Sequence, residues 1–290
     1  MSIPFDHSCI QCHLRRNCTT AETLGTPEQT DAFARDLLKL YLTAPTDVSS
    51  PWLGPATTDL FQKHYGLPED RFREEKEISN RFVLERIPQI RQRVDTAEDP
   101  LFAALQFAIL GNYIDFSALQ GQVSFEKLEK LLDEAADMVL DKAVYSELCT
   151  DLEKGKKLLY LTDNAGEIGF DRVFAEEIHK KYPNLEITFC VRGGPAMNDA
   201  TWEDAALVGI PFPVIGNGNR VAGTQIDQLS EEAKNALETA DVILAKGQGN
   251  TETMYGCGYN VYYAFLIKCP RFEAVFGKPH LTPMLVRDPK

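Results

Sequence analysis

Three short polar segments, each following an apolar run, hold residue types that could act together on a phosphate ester. Asp163-Asn164-Ala165-Gly166-Glu167 sets a carboxylate and an amide beside a glycine. Such hard oxygen donors suit Mg²⁺ or a similar divalent ion, and the N–H groups that open a following helix can face an anion. Helix capping by Asp163 or Asn164 would explain the same residues without a metal. Arg192-Gly193-Gly194-Pro195-Ala196-Met197-Asn198-Asp199 adds a second carboxylate at the start of the next helical stretch, with two glycines that let backbone approach a ligand. A cap is again the plain alternative. Lys246-Gly247-Gln248-Gly249-Asn250-Thr251-Glu252 places a point charge beside flexible N–H donors, a sensible clamp for phosphoryl oxygens, although an exposed turn would read the same way. It is not a P-loop, because no Gly-Lys-Ser/Thr triplet stands at the required spacing. If the three segments meet, metal-assisted hydrolysis is the chemistry they would do, by positioning and charge stabilisation. An aspartyl-phosphate formed on Asp163 is the weaker route: a metal-bound carboxylate is a poor attacker, and Ala165 stands where haloacid-dehalogenase-type phosphatases carry a second Asp.

Bringing these segments together requires a sheet. Apolar runs at residues 157–161, 186–191, 214–215, 242–245 and 261–267 alternate with amphipathic stretches. That alternation indicates βαβ units, an α/β class and a parallel sheet covered on both faces. Ligands of such sheets bind at the carboxyl ends of the strands, where all three segments fall. The first half reads as helical instead. Phe33, Leu37, Leu38 and Tyr41 recur at helical spacing, residues 101–116 are apolar nearly all round, and residues 128–149 repeat Leu131, Leu132, Ala135, Met138, Val139 and Ala143 along one stripe. The change falls near Lys154-Gly155-Lys156, giving a helical subdomain over 1–150 and an α/β metal- and phosphate-binding domain over 151–290.

A formal net charge of −13 over 290 residues argues against nucleic-acid or anionic-membrane partners. It leaves room for a small phosphorylated metabolite, since a metal and one or two basic groups reverse the sign locally. No apolar run approaches the roughly 18–20 residues that span a bilayer, and the start lacks a secretory pattern, so a cytoplasmic protein is expected. The seven cysteines read as thiols rather than a disulfide framework. Cys9 and Cys12, near His7, His13 and Cys18, form half of a zinc pattern, with buried thiols as the alternative. Cys149, Cys190, Cys257 and Cys269 belong to the core, and His64, His179 and His280 to the surface. Gly216-Asn217-Gly218-Asn219 reads as a turn. Asn112 and Asp115 interrupt an apolar helix, where unpaired polar groups are costly; they either brace the neighbouring domain or face the pocket, the pocket being the expectation.

Together the three segments resemble the domain-of-unknown-function 89 family, the metal-dependent damage-control phosphatases. Cys9-Ile10-Gln11-Cys12, the stretch 70–76 with Asn80 and Arg81, and Gly111-Asn112-Tyr113-Ile114-Asp115-Phe116 are similar to its microbial, cysteine-containing branch, so the likeness runs along nearly the whole chain. The resemblance implies a Rossmann-like, three-layer α/β domain with a helical N-terminal subdomain. It implies metal ligation by Asp163, Asn164 and Asp199, phosphate contact by Lys246, and Asn250 and Glu252 nearby. Arg192, Gly193 and Gly247 complete the expected binding set. It further implies hydrolysis of sugar phosphates or damaged phosphometabolites with Mn²⁺, Co²⁺, Ni²⁺ or Mg²⁺. Two other readings of the residues stay open: methyl transfer from S-adenosylmethionine, which needs neither Asp199 nor Lys246, and a metal- or ligand-binding module without turnover. Oligomeric state is not legible.

Overall fold

The computed structural model describes residues 2–114 and 124–289, so Asp115 and Phe116 lie outside the described residues. The apolar runs pair as β1 (Lys157–Leu161), β2 (Glu186–Val191), β3 (Val214–Gly216), β4 (Val242–Lys246), β5 (Val261–Leu266) and β6 (Pro283–Arg287), in the order β3-β2-β1-β4-β5-β6. The first five strands are parallel and β6 is antiparallel to β5. Before the sheet come α1 (His7–Glu22), α2 (Pro27–Thr43), α3 (Gly54–Tyr65), α4 (Arg73–Asp95), α5 (Pro100–Gly111), α6 (Phe125–Asp133) and α7 (Lys142–Lys154). Between and after its strands come α8 (Glu167–Lys181), α9 (Trp202–Val208), α10 (Glu231–Thr239), α11 (Gly247–Met254) and α12 (Pro270–Phe276).

Alternation along each strand explains the three layers. Leu158 and Tyr160 of β1, Phe189 of β2 and Leu244 of β4 enter one core with α4, α5 and α8. Leu159, Leu161, Ile243 and Ala245 face the other way, toward Ala233, Leu237, Met254 and Phe272 of α10, α11 and α12. Both faces are dry, which is why the strands read as nearly unbroken apolar runs. β6 escaped the reading because it begins at a proline and, among its residues, only Leu285 is buried.

The helices do not form one separate body. Val83, Leu105, Leu128 and Leu152 share the core of the first sheet face, so apolar packing runs straight across residue 150. α1 to α3 instead surround a smaller core of Phe33, Leu37 and Phe61, whose two phenyl rings lie 4.6 Å apart. The stripe read over 128–149 is broken: α6 ends at Asp133, and Asp141 accepts hydrogen bonds from Ala143 and Val144 N–H to start α7. Val139, between them, is exposed.

β1 has β2 on one side and β4 on the other, and the chain order reverses across that gap, a switch point where a crevice opens at the strand ends. The turn after β1 is held by α4. Gly166 adopts φ 80°, and a Cβ there would meet Cβ of Ser79 at 2.8 Å. Its N–H donates to Asn80 Oδ1 at 2.7 Å, Asn80 Nδ2 donates to Asp204 Oδ1 at 2.7 Å, and Lys76 pairs with Asp204 at 2.9 Å. The segment around Lys76 and Asn80 is therefore a bracket between the β1 turn and α9, while Arg81 lies on the surface beside Glu77.

We expect Gly166→Ala to lower stability by about 1–3 kcal/mol through left-handed strain and overpacking against Ser79. The midpoint of denaturant unfolding reads this directly; an unchanged midpoint would contradict the bracket.

Candidate active site

Main-chain hydrogen bonds join the β1 and β2 ends before any side chain acts. Thr162 N–H and Oγ1 both donate to Cys190 O at 3.1 Å. Asn164 and Asp199 form an isolated antiparallel bridge, Ala200 N–H donates to Asp163 O at 2.7 Å, and Ala165 N–H donates to Asn198 O at 2.9 Å. Capping explains none of the three expected ligands. α8 starts behind Gly166 without a side-chain cap, and α9 is capped by Thr201 in a reciprocal pair with Asp204. Asp163, Asn164 and Asp199 are set side by side, each at most 6% exposed, for another reason.

Arg192 binds the two acids together. Its Nε donates to Asp199 Oδ2 at 2.6 Å, and its Nη2 lies 3.7 Å from Asp163 Oδ1. Nη1 donates to Asn250 Oδ1 at 3.2 Å; Asn250 in turn donates to Thr162 O and Lys246 O. Asn250 is thus a brace for Arg192 inside the protein. Asn112 is a second brace: its Nδ2 donates to Asp163 Oδ2 at 2.8 Å and Glu167 Oε2 at 2.9 Å, while its Oδ1 accepts from Leu266 N–H. Gly247, at φ 78°, brings backbone so close to Asp163 that a Cβ would lie 1.9 Å from Oδ2. The Gly193 N–H is taken up within the protein, donating to Asn217 Oδ1 at 2.7 Å, so Asn217 does more than turn the chain.

Lys246 points away from the crevice. Its ammonium donates to Glu167 Oε1 at 2.6 Å, Asp171 Oδ1 at 2.7 Å and Ala108 O at 2.8 Å, and the residue is fully buried. Three acceptors use its three protons, leaving none for a phosphate. Burial, which alone would lower the Lys246 pKa, is outweighed by Asp171 and Glu167, so the ammonium is held charged. Burial first, and then Glu167, push the Asp171 carboxyl up to about 7 against the pull of Lys246. Tyr160 OH also donates to Asp171.

The donor atoms bear on a metal. Buried around the strand ends are Asp163, Glu167, Asp171 and Asp199 together with Arg192, Lys246 and Lys268. Asn198 Oδ1, buried in the same turn, has no hydrogen-bond partner among the described residues, while its Nδ2 donates to Asn164 Oδ1 at 2.8 Å. Two carboxylates, an amide oxygen and a spare acceptor are a donor set of the hard type that divalent ions take.

A cavity of about 140 Å³ opens above Asp163, Asn164 and Asp199, and its far wall comes from the helical part: His13, Arg16 and Asn17 of α1, Thr57 and Thr58 of α3, and Arg71. Glu252 and Gln248 line it from α11. The reading from sequence named Glu252 but missed the wall from the helical part. Arg71 lies in a segment noted only for its resemblance, and nothing in the spacing of Arg16 marks it as facing a strand end. The Arg71 guanidinium sits 4.3 Å from the Phe61 ring centroid. Burial, and then the charge of Arg16, pull it down to about 10, so it remains cationic at neutral pH. His13 is pushed down to about 3 by burial and then Arg16; this neutral ring lies 2.7 Å from Ser50 Oγ.

The zinc expectation finds no support. Among the described residues no three His, Cys, Asp or Glu side chains gather to hold an ion. The Cys9 thiol is pushed up to about 12, chiefly by burial, which disfavours a thiolate ligand. All seven cysteines are free, Cys190 buried and the others partly so. His64 is not a surface residue: its side chain is 13% exposed and pairs with Asp36 at 3.0 Å. His179 packs on Phe212, and His280 lies 3.7 Å from Glu273. Among the described residues no helix is long and apolar enough to cross a membrane.

A family model for the damage-control phosphatase ARMT1-like domain matches residues 5–280. The chain is 32% identical over 284 residues to an uncharacterised protein of Methanocaldococcus jannaschii, covering 92% of this chain and 90% of that one. It is 37% identical over 173 residues to a damage-control phosphatase of Pyrococcus horikoshii, covering 58% of each chain. It is 35% identical over 189 residues to a damage-control phosphatase of Archaeoglobus fulgidus, covering 64% of each. A crystal structure of a domain-of-unknown-function 89 family protein from Pyrococcus horikoshii superposes with a TM-score of 0.82 at 26% identity, covering 99% of both chains.

Replacing Lys246 with Met strands two buried carboxylates, and we expect a loss of about 3–5 kcal/mol in unfolding free energy. A variant of unchanged stability that had lost phosphate affinity would restore the clamp role instead.

Proposed function

Because the chain belongs to the damage-control phosphatase ARMT1-like domain family, we propose that it hydrolyses small phosphate monoesters with a divalent metal held by Asp163, Asn164 and Asp199. The observation that carries this reading is the meeting of Asp163 and Asp199, 36 positions apart in sequence, around one buried guanidinium and beneath a cavity walled by Arg16 and Arg71. Mn²⁺, Co²⁺, Ni²⁺ or Mg²⁺, bound there, would supply Lewis acidity toward a phosphoryl oxygen.

The chain's own residues supply the rest. Arg16 and Arg71 line one small cavity, and the charge of Arg16 adds to burial in pulling the Arg71 pKa down, a cost that an anion beside Arg71 would offset. They take the phosphate-holding part that the sequence suggested for Lys246. Arg192, braced by Asn250, keeps the two acids in register, and Asn112 fixes the rotamer of Asp163. Water forms the new bond to phosphorus, the ester P–O bond breaks, and the leaving alcohol takes up a proton. Glu252 and Gln248 stand where that alcohol's hydroxyls would bind. The substrate is a small phosphorylated metabolite, of the sugar-phosphate or damaged-metabolite type. Methyl transfer has no use for Asp199 or for paired guanidiniums. A binding module without turnover would keep the same ligands and is separated from a phosphatase by assay alone.

We expect phosphate release from a panel of simple phosphomonoesters in Mn²⁺, Co²⁺, Ni²⁺ or Mg²⁺, abolished by a chelator and by Asp163→Ala. Arg71→Met should raise KM by about tenfold or more, the value of one charge-assisted bond to phosphate. Metal binding measured by calorimetry without any phosphate release would support the non-catalytic module and end the phosphatase reading.

A further inference from the structure

An amide such as that of Asn164 has nearly the same shape at either end, but only its oxygen can ligate a hard cation. Three contacts decide which end faces where. Nδ2 lies between two carboxylates, donating to Asp163 Oδ2 and to Glu167 Oε2, both at 2.7 Å. Oδ1 accepts from Asn198 Nδ2 at 2.8 Å, which leaves a carbonyl oxygen its second lone pair. Asn112, whose own Oδ1 is taken by Leu266 N–H, adds its Nδ2 to the same two carboxylate oxygens. Gly111 permits that approach: a Cβ there would meet Phe170 Cδ2 at 2.6 Å and Glu167 Cγ at 3.3 Å.

Glu167 is fully buried in the first turn of α8. Its carboxylate meets donors at both ends, the Lys246 ammonium on Oε1 at 2.6 Å and the two amides on Oε2. A glutamine there would set its amino end against either the ammonium or the amides, so the position calls for an acceptor at each end. We infer that Glu167 is a positioning residue for metal binding, holding the Asn164 amide by its nitrogen so that the oxygen is presented to the ion. The inference rests on the ligand set proposed above. Polarity passes along the chain of contacts: the buried ammonium takes an acceptor, the acceptor takes the amino end of Asn164, and the carbonyl end is turned outward. Asp163 Oδ2 pulls the same way, but Asp163 is itself a proposed ligand whose charge an ion would share. Glu167, fixed by Lys246, pulls whether or not an ion is bound. The same geometry accounts for an amide rather than a third acid at position 164, since a carboxylate there would face two others at 2.7 Å.

The test measures, by calorimetry, the affinity for whichever of Mn²⁺, Co²⁺, Ni²⁺ and Mg²⁺ the unmodified protein binds most tightly, with folding of each variant checked by circular dichroism. Glu167→Gln should bind that ion about tenfold or more weakly, the usual cost of losing a group that orients a metal ligand. Glu167→Asp keeps the charge but draws the carboxylate back from Asn164, and should lose affinity to a similar extent. Asp171→Asn removes another partner of Lys246 but touches neither amide, and should stay within about twofold, as expected where no contact is shared. Asn164→Asp, although it adds a negative charge, should bind more weakly than the unmodified protein. Unchanged affinity in Glu167→Gln overturns the inference. Affinity retained in Glu167→Asp alone also overturns it, because charge rather than orientation would then be the cause. So does an equal loss in Asp171→Asn, which would report general disturbance of the buried ionic group. Should these buried variants fail to fold, Asn164→Asp decides: tighter binding overturns the inference and weaker binding supports it. Metal binding without phosphate release from any ester ends the phosphatase reading and leaves the inference standing. An unmodified protein that binds none of the four ions overturns both.

Discussion

A guanidinium that is 1% exposed holds this strand end together. Arg192 is tolerable in that position only because Asp199 meets its Nε, Asn250 meets its Nη1 and Asp163 stands near its Nη2. Reciprocally, the two acids can lie close to one another only because a cation sits between them. The main-chain bridge between Asn164 and Asp199 sets the spacing, and the ionic triad fixes the side chains on it. Asn112 and Gly247 then act on Asp163 alone, one by hydrogen bond and one by close backbone approach. The expectation that Asp163 and Asp199 face the same point therefore has a cause beyond topology.

A second buried ionic group lies behind the first. Lys246, Glu167 and Asp171 fill the space under α5 and α8, and Asn112 bridges the two groups by donating to both Glu167 and Asp163. Lys246 thus bears on the crevice through structure: it holds Glu167 in place by donating to Oε1, and Glu167 Oε2 accepts from Asn164 Nδ2 at 2.7 Å. A lysine beside glycines at a strand end looks like a phosphate ligand in sequence because chain position says nothing about which face of the sheet its stem follows. The stem of Lys246 runs into the core formed by Ala108 and its neighbours.

What could be read from the residues follows the range of the forces involved. The parallel strands were legible because burial on both faces is written into consecutive positions, and the strand-end loops were legible because only Gly, Asn and Asp suit them. The edge strand β6 and the break between α6 and α7 were not, since one depends on a partner strand and the other on a single cap by Asp141. At the site, the meeting of Asp163, Asn164 and Asp199 could be foreseen because their segments follow neighbouring strands. Asn250, expected near the phosphate, donates and accepts within the protein, and Asn112 takes the bracing one of its two expected roles, since whether an amide faces a ligand or braces a neighbour depends on packing at distance. Arg16 and Arg71 were invisible for the same reason: α1 and the segment before α4 reach the crevice through contacts between regions, which leave no local pattern.

The division of labour that results also resolves the acidic composition. With a net charge of −13, the chain as a whole repels phosphate esters. The two acids proposed as ligands follow strands of the sheet, whose ends offer fixed, dry positions. The basic groups lining the cavity come from the helical part, carried on α1 and just ahead of α4, where Arg71 stacks on Phe61 and Phe72. Because the two sets belong to elements with different cores, the spacing between Asp163 and Arg71 depends on how α1 to α3 seat against the sheet. Helix α4 ties this seat at its other end, through Lys76 and Asn80 to Asp204 and the Gly166 turn. A small cavity between the two sets is the geometric consequence: opposite charges on facing walls keep both solvated only while something polar lies between them.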